Sequence, residues 1–213
     1  MAYVLVIGAS RGIGLETVKA ALAAGHRVHA FARSAVAVEH PMLDVVSGDA
    51  LDRAAIERAL DGVDAVVQVL GAPKQPDVYI GGTNLFSRAT RTLVDAMTAR
   101  GPKRLIVVTG LGAGDSRGHG GFFYDRFLFA LVLERVYRDK DVQEQIVRRS
   151  DLDWTIVRPG QLTNGAPTGK ARAITDPAEW RAGPVTRADV GRFLVEQITD
   201  LTYLRKTPLL IEP

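Results

Sequence analysis

The 213-residue chain contains no cysteine. This absence excludes disulfide bonds, thiolate catalysis and metal sites with cysteine ligands, and it agrees with the expectation of a cytoplasmic protein. The four histidines have no metal-ligand spacing between them, and no H-E-x-x-H motif occurs, so no metal site is expected. A G-x-S-x-G motif is also missing, which argues against a serine hydrolase.

Long apolar runs and strong charge of one sign are missing as well. The apolar run at 127–133 is far too short to cross a bilayer, and the first residues lack a secretory signal, so we expect no membrane association. The formal net charge is +3 and the basic residues are scattered, which predicts no nucleic-acid binding. The run at 127–133 fits a buried helix or a subunit contact, so a monomer and a homodimer both stay open.

Segments typical of strands alternate with segments of helical periodicity. The predicted strands are Tyr3–Ile7, Arg27–Ala32, Leu43–Ser47, Ala65–Leu70, Arg104–Thr109, Trp154–Arg158 and Pro208–Ile211. The predicted helices are Gly12–Ala24, Asp52–Leu60, Leu85–Arg100, Phe122–Ser150 and Arg187–Ile198. This order predicts an α/β fold with a Rossmann-type, doubly wound, mostly parallel sheet in a single domain over 1–213. The glycine- and proline-rich segment 159–184 is predicted to be a long irregular loop on the substrate side.

A glycine-rich turn joins the first strand to the first helix. Gly8 would allow the tight turn, Gly12 would let the backbone approach a pyrophosphate, and Gly14 would let the helix pack closely on the strand. The free N–H groups at the start of the helix would then hold the phosphate charge. The residues predicted to contact the cofactor here are Gly8, Ser10, Arg11, Gly12, Ile13 and Gly14.

The end of the second strand indicates which cofactor is bound. Arg33 stands nineteen residues after Gly14, where NAD-preferring folds have a carboxylate that binds the ribose 2′-hydroxyl. An arginine can instead hold a 2′-phosphate and stack on adenine. The sequence therefore favours NADP(H) over NAD(H), with Arg33 and Ser34 as contacts. The alternative is that Arg33 is a solvated surface arginine.

Three features together resemble the atypical short-chain dehydrogenase/reductase family, with its NmrA-like and biliverdin reductase B (flavin reductase)-like members. They are the glycine loop with its G-x-x-x-G-x-G spacing, Arg33, and Lys140-x-x-x-Glu144 followed by L-D-W-T-I-V-R-P-G at 152–160. The similarity extends over nearly the whole chain in order. It implies an NAD(P)-binding oxidoreductase of a small-molecule substrate.

The resemblance implies further contacts at the adenosine side of the cofactor. In the family, an acidic residue and an apolar residue after the third strand meet the adenine, which assigns Asp49 and Ala50. The alternative is that Asp49 or Asp52 only caps the next helix. Leu70 and Gly71 end the fourth strand, where a glycine lets the backbone lie against the ribose.

The family's catalytic residues are only partly present. The resemblance assigns Thr109 to the substrate carbonyl and Lys140 to the ribose, but Val136 stands four residues before Lys140, where the family has its catalytic tyrosine. Tyr137 is one position later, which rotates it by about 100° around the helix. Tyr124 is a second candidate, and for both tyrosines packing is the alternative to catalysis.

The remaining residues on the substrate side also follow from the resemblance. Pro159 and Gln161 would lie near the nicotinamide or the substrate, and aromatic walls could come from Phe122, Phe123, Tyr124 and Trp180. Flavins and related planar acceptors can take a hydride and acquire their proton from water, so a reductase without the tyrosine is feasible. The alternatives are a non-catalytic NADP(H) sensor of the NmrA-like type and a nucleotide-sugar epimerase or dehydratase.

Overall fold

The computed structural model describes residues 1–72, 78, 81–120 and 133–213. The strands in these ranges are β1 Tyr3–Ile7, β2 Arg27–Ala32, β3 Leu43–Ser47, β4 Ala65–Gln68, β5 Arg104–Val108, β6 Asp153–Pro159, β7 Gln161–Thr163, β8 Arg172–Ile174, β9 Pro184–Thr186 and β10 Leu209–Ile211. The α-helices in the same ranges are α1 Gly12–Ala23, α2 Arg53–Ala59, α3 Leu85–Arg100, α4 Glu134–Arg148 and α5 Arg187–Glu196.

Eight of these strands form one sheet in the order β3-β2-β1-β4-β5-β6-β10-β8. All neighbours from β3 to β10 are parallel, and only β8 at the edge runs antiparallel to its neighbour. The strand order of the first six is that of the Rossmann fold, in which the order reverses between β1 and β4. The predicted fold class is confirmed.

Helices cover both faces of the sheet because alternate residues of each strand point to opposite sides. In β1, Val4 and Val6 belong to the apolar cluster under α1 and α5, whereas Leu5 and Ile7 belong to the cluster under α2, α3 and α4. All four side chains are essentially inaccessible to solvent. Within the described part of the chain, no helix is long and apolar enough to span a membrane.

The segment 159–184 differs from its prediction. It contains β7 and β8 and leads into β9, and β8 pairs antiparallel with β10 at the edge of the main sheet. Strands of three residues between glycines and prolines are too short to show a period of two, so sequence periodicity could not reveal them. Several other predicted elements extend one or two residues past the observed ends: β4, for example, ends at Gln68 and not at Leu70.

The fourth predicted helix is observed only in its second half. Helix α4 begins at Glu134 and ends at Arg148, and residues 121–132 lie outside the described ranges, together with the predicted aromatic residues there. The first turn of α1 and the carboxyl ends of β1, β2, β4 and β5 meet at one edge of the sheet. Because ligands bind at that edge in open α/β sheets, it is where the predicted site residues should converge.

Candidate functional site

A cavity of about 900 Å³ lies at the carboxyl edge of the sheet, large enough for a dinucleotide and a small substrate. It runs from the glycine loop, past the ends of β2, β3, β4 and β5, to α4. The predicted site residues that line it are Gly8, Ser10, Arg11, Gly12, Ile13, Arg33, Ser34, Asp49, Ala50, Leu70, Gly71, Thr109, Tyr137 and Lys140. Gly14, Pro159 and Gln161 are not part of the cavity wall.

The glycine loop has the close contacts that its sequence requires. Gly8 has a φ of +93°, and a Cβ there would overlap the carbonyl of Val69. A Cβ on Gly14 would overlap the carbonyl oxygen of Gly8, so α1 packs directly on the turn. Gly12 has a φ of +58°, and a Cβ there would meet only the Arg187 Nε, at 3.9 Å. Gly14 therefore acts through packing, and Gly12 leaves the backbone open to the cavity.

Helix α1 presents its positive end to the cavity. Its N-cap is Arg11, and no side chain in the described ranges caps the first N–H groups of this helix. Uncapped N–H groups together with the helix dipole attract an anion. Free N–H groups at a helix N-terminus are a common binding site for phosphate groups. The loop is therefore suited to bind the pyrophosphate of a dinucleotide.

The side of the cavity at which the sequence predicts the adenosine carries exposed polar side chains. Arg33 and Ser34 follow β2 directly and are exposed. The Asp49 carboxylate accepts a hydrogen bond from the backbone N–H of Leu51 at 3.0 Å. Asp52 is the N-cap of α2 and accepts from the N–H of Ala54 at 2.9 Å. The capping role that the sequence left open therefore belongs to Asp52, and Asp49 faces the cavity.

At the other side, the Thr109 hydroxyl is part of a buried polar network. It donates to the Glu144 carboxylate at 2.8 Å, and the same carboxylate accepts from Arg158 Nε at 2.9 Å and Nη2 at 2.6 Å. Arg158 is completely buried and also pairs with Asp115 at 2.6 Å. Because the Thr109 proton is directed to Glu144, only the hydroxyl lone pairs can serve a ligand.

The arginine of the T-I-V-R-P-G segment, Arg158, thus has a structural role. Arg158 on β6 and Glu144 on α4 hold the helix to the sheet below Thr109. Both residues belong to the sequence pattern that carries the family resemblance, but the pattern did not predict that they pair. The periodicity of apolar residues could not have revealed the pair, since Glu144 and Arg158 meet only when α4 packs against β6.

Lys140 lies in the cavity wall and is buried from solvent. Its Nζ is 4.2 Å from the centroid of the Phe86 ring. Burial lowers the Lys140 pKa to about 8, against the opposing effect of the carboxylates of Glu144 and Asp139. An ammonium here can donate to a ribose hydroxyl, which is the role that the resemblance implies.

Val136 and Tyr137 both line the cavity, although they differ by one helical position. Val136 is 2% exposed and presents an apolar surface where the family has its tyrosine. The Tyr137 hydroxyl lies 2.6 Å from the point where a Cβ on Gly110 would stand. Only a glycine fits under this hydroxyl, and Gly110 has a φ of +153°.

Several further lining residues lie outside the segments in which the sequence predicted cofactor contacts. They are Leu85, Leu133, Leu162, Asn164 and Arg187. Leu162 lies in β7 next to the predicted Gln161, and neighbours in a strand point to opposite sides. The exposed Gln161 instead donates its backbone N–H to the Gly183 carbonyl at 2.8 Å. A strand of three residues is too short for the sequence pattern to show whether Gln161 or Leu162 points into the cavity.

Two other predicted residues, Pro159 and Trp180, form backbone or packing contacts outside the cavity. The Pro159 carbonyl accepts a hydrogen bond from Leu111 N–H at 3.0 Å. Trp180 packs with Leu111, Leu209 and Ile211 and is 7% exposed, so it forms part of an apolar cluster and not a wall of the cavity.

Known proteins of similar sequence and structure are NAD(P)H-binding proteins and reductases. A sequence model described as NAD(P)H-binding matches residues 8–201. The solved structure of ChuY, an anaerobillin reductase from Escherichia coli O157:H7, is 29% identical with a TM-score of 0.79, over 99% of this chain and 97% of that one. A short-chain dehydrogenase/reductase from Veillonella parvula DSM 2008, solved in complex with NADP, is 19% identical with a TM-score of 0.80, over 100% and 95%.

A third relative is known by its activity. The (4-alkanoyl-5-oxo-2,5-dihydrofuran-3-yl)methyl phosphate reductase of Streptomyces griseus subsp. griseus is 29% identical over 157 residues. The match covers 73% of this chain but 46% of that protein, so about half of that enzyme has no counterpart in the match. The resemblance to atypical short-chain reductases is confirmed.

Proposed function

The chain belongs to the NAD(P)H-binding family, and we propose that it is an NADPH-dependent reductase of a small planar acceptor of the flavin or quinone type. The observation that carries this proposal is the single cavity that joins the glycine loop to Thr109, Tyr137 and Lys140. A cofactor held at one end would place its reactive ring at the other. The enzyme is proposed to act in the cytoplasm, on the basis of the cysteine-free sequence.

The preference for NADPH rests on charge at the adenosine side. Arg33 and Ser34 lie in the cavity wall, and no acidic residue occupies the end of β2, where a ribose 2′-hydroxyl would be bound. A guanidinium can donate two hydrogen bonds to a phosphate in one plane. Asp49 and Ala50 would receive the adenine, and Leu70 and Gly71 the adjoining ribose.

The reaction needs no acid from the protein. When bound, a reduced nicotinamide supplies a hydride, and water supplies the proton, so the acceptor gains two electrons and the cofactor becomes NADP⁺. Val136 offers no proton, and the Thr109 hydroxyl donates to Glu144. The residues of the chain would therefore act by binding and orientation, with Lys140 on the ribose.

The acceptor site is proposed to lie between α4 and the segment 159–184, at Leu162 and Asn164. Both residues line the cavity, and Leu162 offers an apolar surface against which a flat ring can lie. The likeness to ChuY, an anaerobillin reductase 29% identical to this chain, supports a reductase function.

The test combines turnover with binding. Purified protein is mixed with NADPH or NADH and with a panel of flavins, quinones and aldehydes, and the absorbance of the reduced nicotinamide is followed. Arg33→Ala should weaken NADPH binding by about 10-fold to 100-fold and leave NADH binding unchanged. Arg27→Ala is the matched control, since Arg27 is an exposed arginine at the opposite end of β2 that pairs with Asp44 away from the cavity.

Equal affinity for NADH and NADPH, unchanged by Arg33→Ala, would disprove the cofactor preference. The second candidate function is a non-catalytic NADP(H) sensor, favoured by one observation: apolar Val136 lines the cavity where a reductase of the family has its tyrosine. Saturable NADPH binding without turnover on any acceptor of the panel would select this candidate.

A further inference from the structure

Arg187 is a cavity residue that neither the glycine loop nor the family resemblance assigns. It is the first residue of α5 and lines the cavity. Its Nη1 donates to Asn164 Oδ1 at 2.8 Å, and its Nε lies 3.9 Å from the point where a Cβ on Gly12 would stand. The guanidinium therefore sits directly beside the opening of the glycine loop.

The charge of Arg187 is not balanced within the described ranges. It forms no ion pair there, and its Nε and Nη2 donate to no residue that the structure describes. The carboxylate in the same helical turn, Asp189, accepts hydrogen bonds from Thr186, Thr168 and Gly169. An arginine with two unused donor groups at a cavity wall is suited to bind an anion.

The helix dipoles make this position unfavourable for a cation without an anion. Arg187 stands at the N-terminus of α5, which Thr186 caps and which carries Asp189 in its first turn. The neighbouring Gly12 starts α1, whose first turn has neither a side-chain cap in the described ranges nor an acidic residue, so this positive helix end lies beside the guanidinium. The two helices pack closely, since a Cβ on Gly191 of α5 would meet the backbone of Glu16 and Thr17 in α1. A bound anion would stabilise the guanidinium and the N-terminus of α1 together.

We propose that Arg187 binds the pyrophosphate of the cofactor through Nε and Nη2 while Nη1 holds Asn164. This inference rests on the proposed function, because the anion is the cofactor's own. The same guanidinium thereby links the phosphate site to the segment 162–169, which Asp189 ties to α5 through Thr168 and Gly169. Arg187 becomes a binding residue shared by the cofactor and the substrate-side segment.

The experiment separates the pyrophosphate from the rest of the cofactor. Dissociation constants are measured by calorimetry for NADPH and for adenosine 2′-monophosphate, which lacks the 5′-phosphate. Arg187→Met should weaken NADPH binding by about tenfold or more, because a charge-assisted hydrogen bond is lost. Binding of adenosine 2′-monophosphate should change by less than about twofold, which also shows that the variant is folded.

Arg192→Met is the matched control, since Arg192 is an exposed arginine of the same helix outside the cavity wall, and it should leave both constants unchanged. Arg187→Lys should recover part of the NADPH affinity. Equal weakening of both ligands, or an unchanged NADPH affinity with a raised KM for the acceptor, would overturn the assignment; the latter places the arginine on a substrate anion. Failure of the wild-type protein to bind NADPH would instead overturn the proposed function, and the assignment with it.

Discussion

The two ends of the cavity handle charge in opposite ways. At the adenosine end, formed by the glycine loop, Arg33 and Asp49, the polar groups are exposed and α1 has no side-chain cap among the described residues. At the other end, where the reaction is proposed to occur, Thr109 and Lys140 line the cavity, and Glu144 and Arg158 lie behind Thr109. The polar groups of this reaction end are buried and hydrogen-bonded to one another or packed on a ring. The first end is organised to receive charge from a ligand, and the second is organised around charges of its own.

The difference indicates what each end contributes. Without a ligand, exposed polar groups are hydrogen-bonded to water, so leaving the site empty costs little free energy. When an anion replaces this water, they form stronger, charge-assisted hydrogen bonds. Buried groups are held by partners, and the loss of one partner leaves the other uncompensated. Substitutions should therefore change ligand affinity at the adenosine end and stability at the reaction end.

The largest effect is expected from Arg158→Met. The substitution leaves the Glu144 carboxylate buried without its ion-pair partner, which should lower the free energy of unfolding by about 3 to 5 kcal/mol. Urea unfolding followed by circular dichroism measures the change. The double variant Arg158→Met/Glu144→Leu should regain part of the loss, because the Glu144 carboxylate is then no longer buried without its partner.

Arg148→Met is the control for this prediction. Arg148 approaches the same Glu144 carboxylate at 3.6 Å, but its side chain is 39% exposed, so the loss should stay below about 1 kcal/mol. If Arg158→Met were no more destabilising than Arg148→Met, the buried pair would not be what holds the reaction end together.

A smaller effect is expected at the adenosine end from Gly14→Ala. The added Cβ would overlap the Gly8 carbonyl, so α1 must move away from the turn, at about 1 to 3 kcal/mol of stability. Since that movement displaces the N–H groups of the glycine loop, NADPH affinity should fall as well. Gly81→Ala is the control, because a Cβ on Gly81 meets no atom within 4 Å and Gly81 lines no part of the cavity; equal behaviour of the two variants would contradict the packing role of Gly14.

Much of the adenosine end could be predicted from the sequence, because its residues follow one another within short segments. Gly8 follows β1, Gly12 and Gly14 lie in the first turn of α1, and Arg33 follows β2. These elements are consecutive in the chain, and β1 and β2 are neighbours in the sheet. The same holds for Asp49, although the sequence could not decide whether it or Asp52 caps α2.

The reaction end could be predicted only in part, since its contacts join segments that are distant in the chain. There, Glu144 on α4 meets Arg158 on β6. The one adenosine-end residue that the sequence also missed, Arg187, likewise reaches the glycine loop from the distant helix α5. Such pairs depend on how elements pack, and no local pattern of apolar and polar residues encodes them. The site residues that the sequence missed are of this kind.

The pH dependence of stability offers a finer comparison. Lys140 has its pKa lowered from 10.5 to about 8 by burial, so between these values the unfolded chain binds more protons than the folded one. Stability of the cofactor-free protein should therefore rise with pH from 8 upward, by about 1 kcal/mol over the first unit. Lys140→Met should lack this contribution, so the difference between the two unfolding curves isolates it, and a difference that does not vary with pH would contradict the lowered pKa.

The smallest effect is expected from Tyr137→Phe. Its hydroxyl lies over Gly110 in the cavity wall, but a planar acceptor takes its proton from water, so kcat should stay within about twofold of the wild type. Tyr203→Phe is the control, because Tyr203 packs against Phe193 and lines no part of the cavity. Stopped-flow measurement of hydride transfer with a flavin acceptor would decide the matter. A general acid typically contributes about 100-fold or more, so a loss of that size confined to Tyr137→Phe would make Tyr137 the proton donor and the reaction end a conventional acid site.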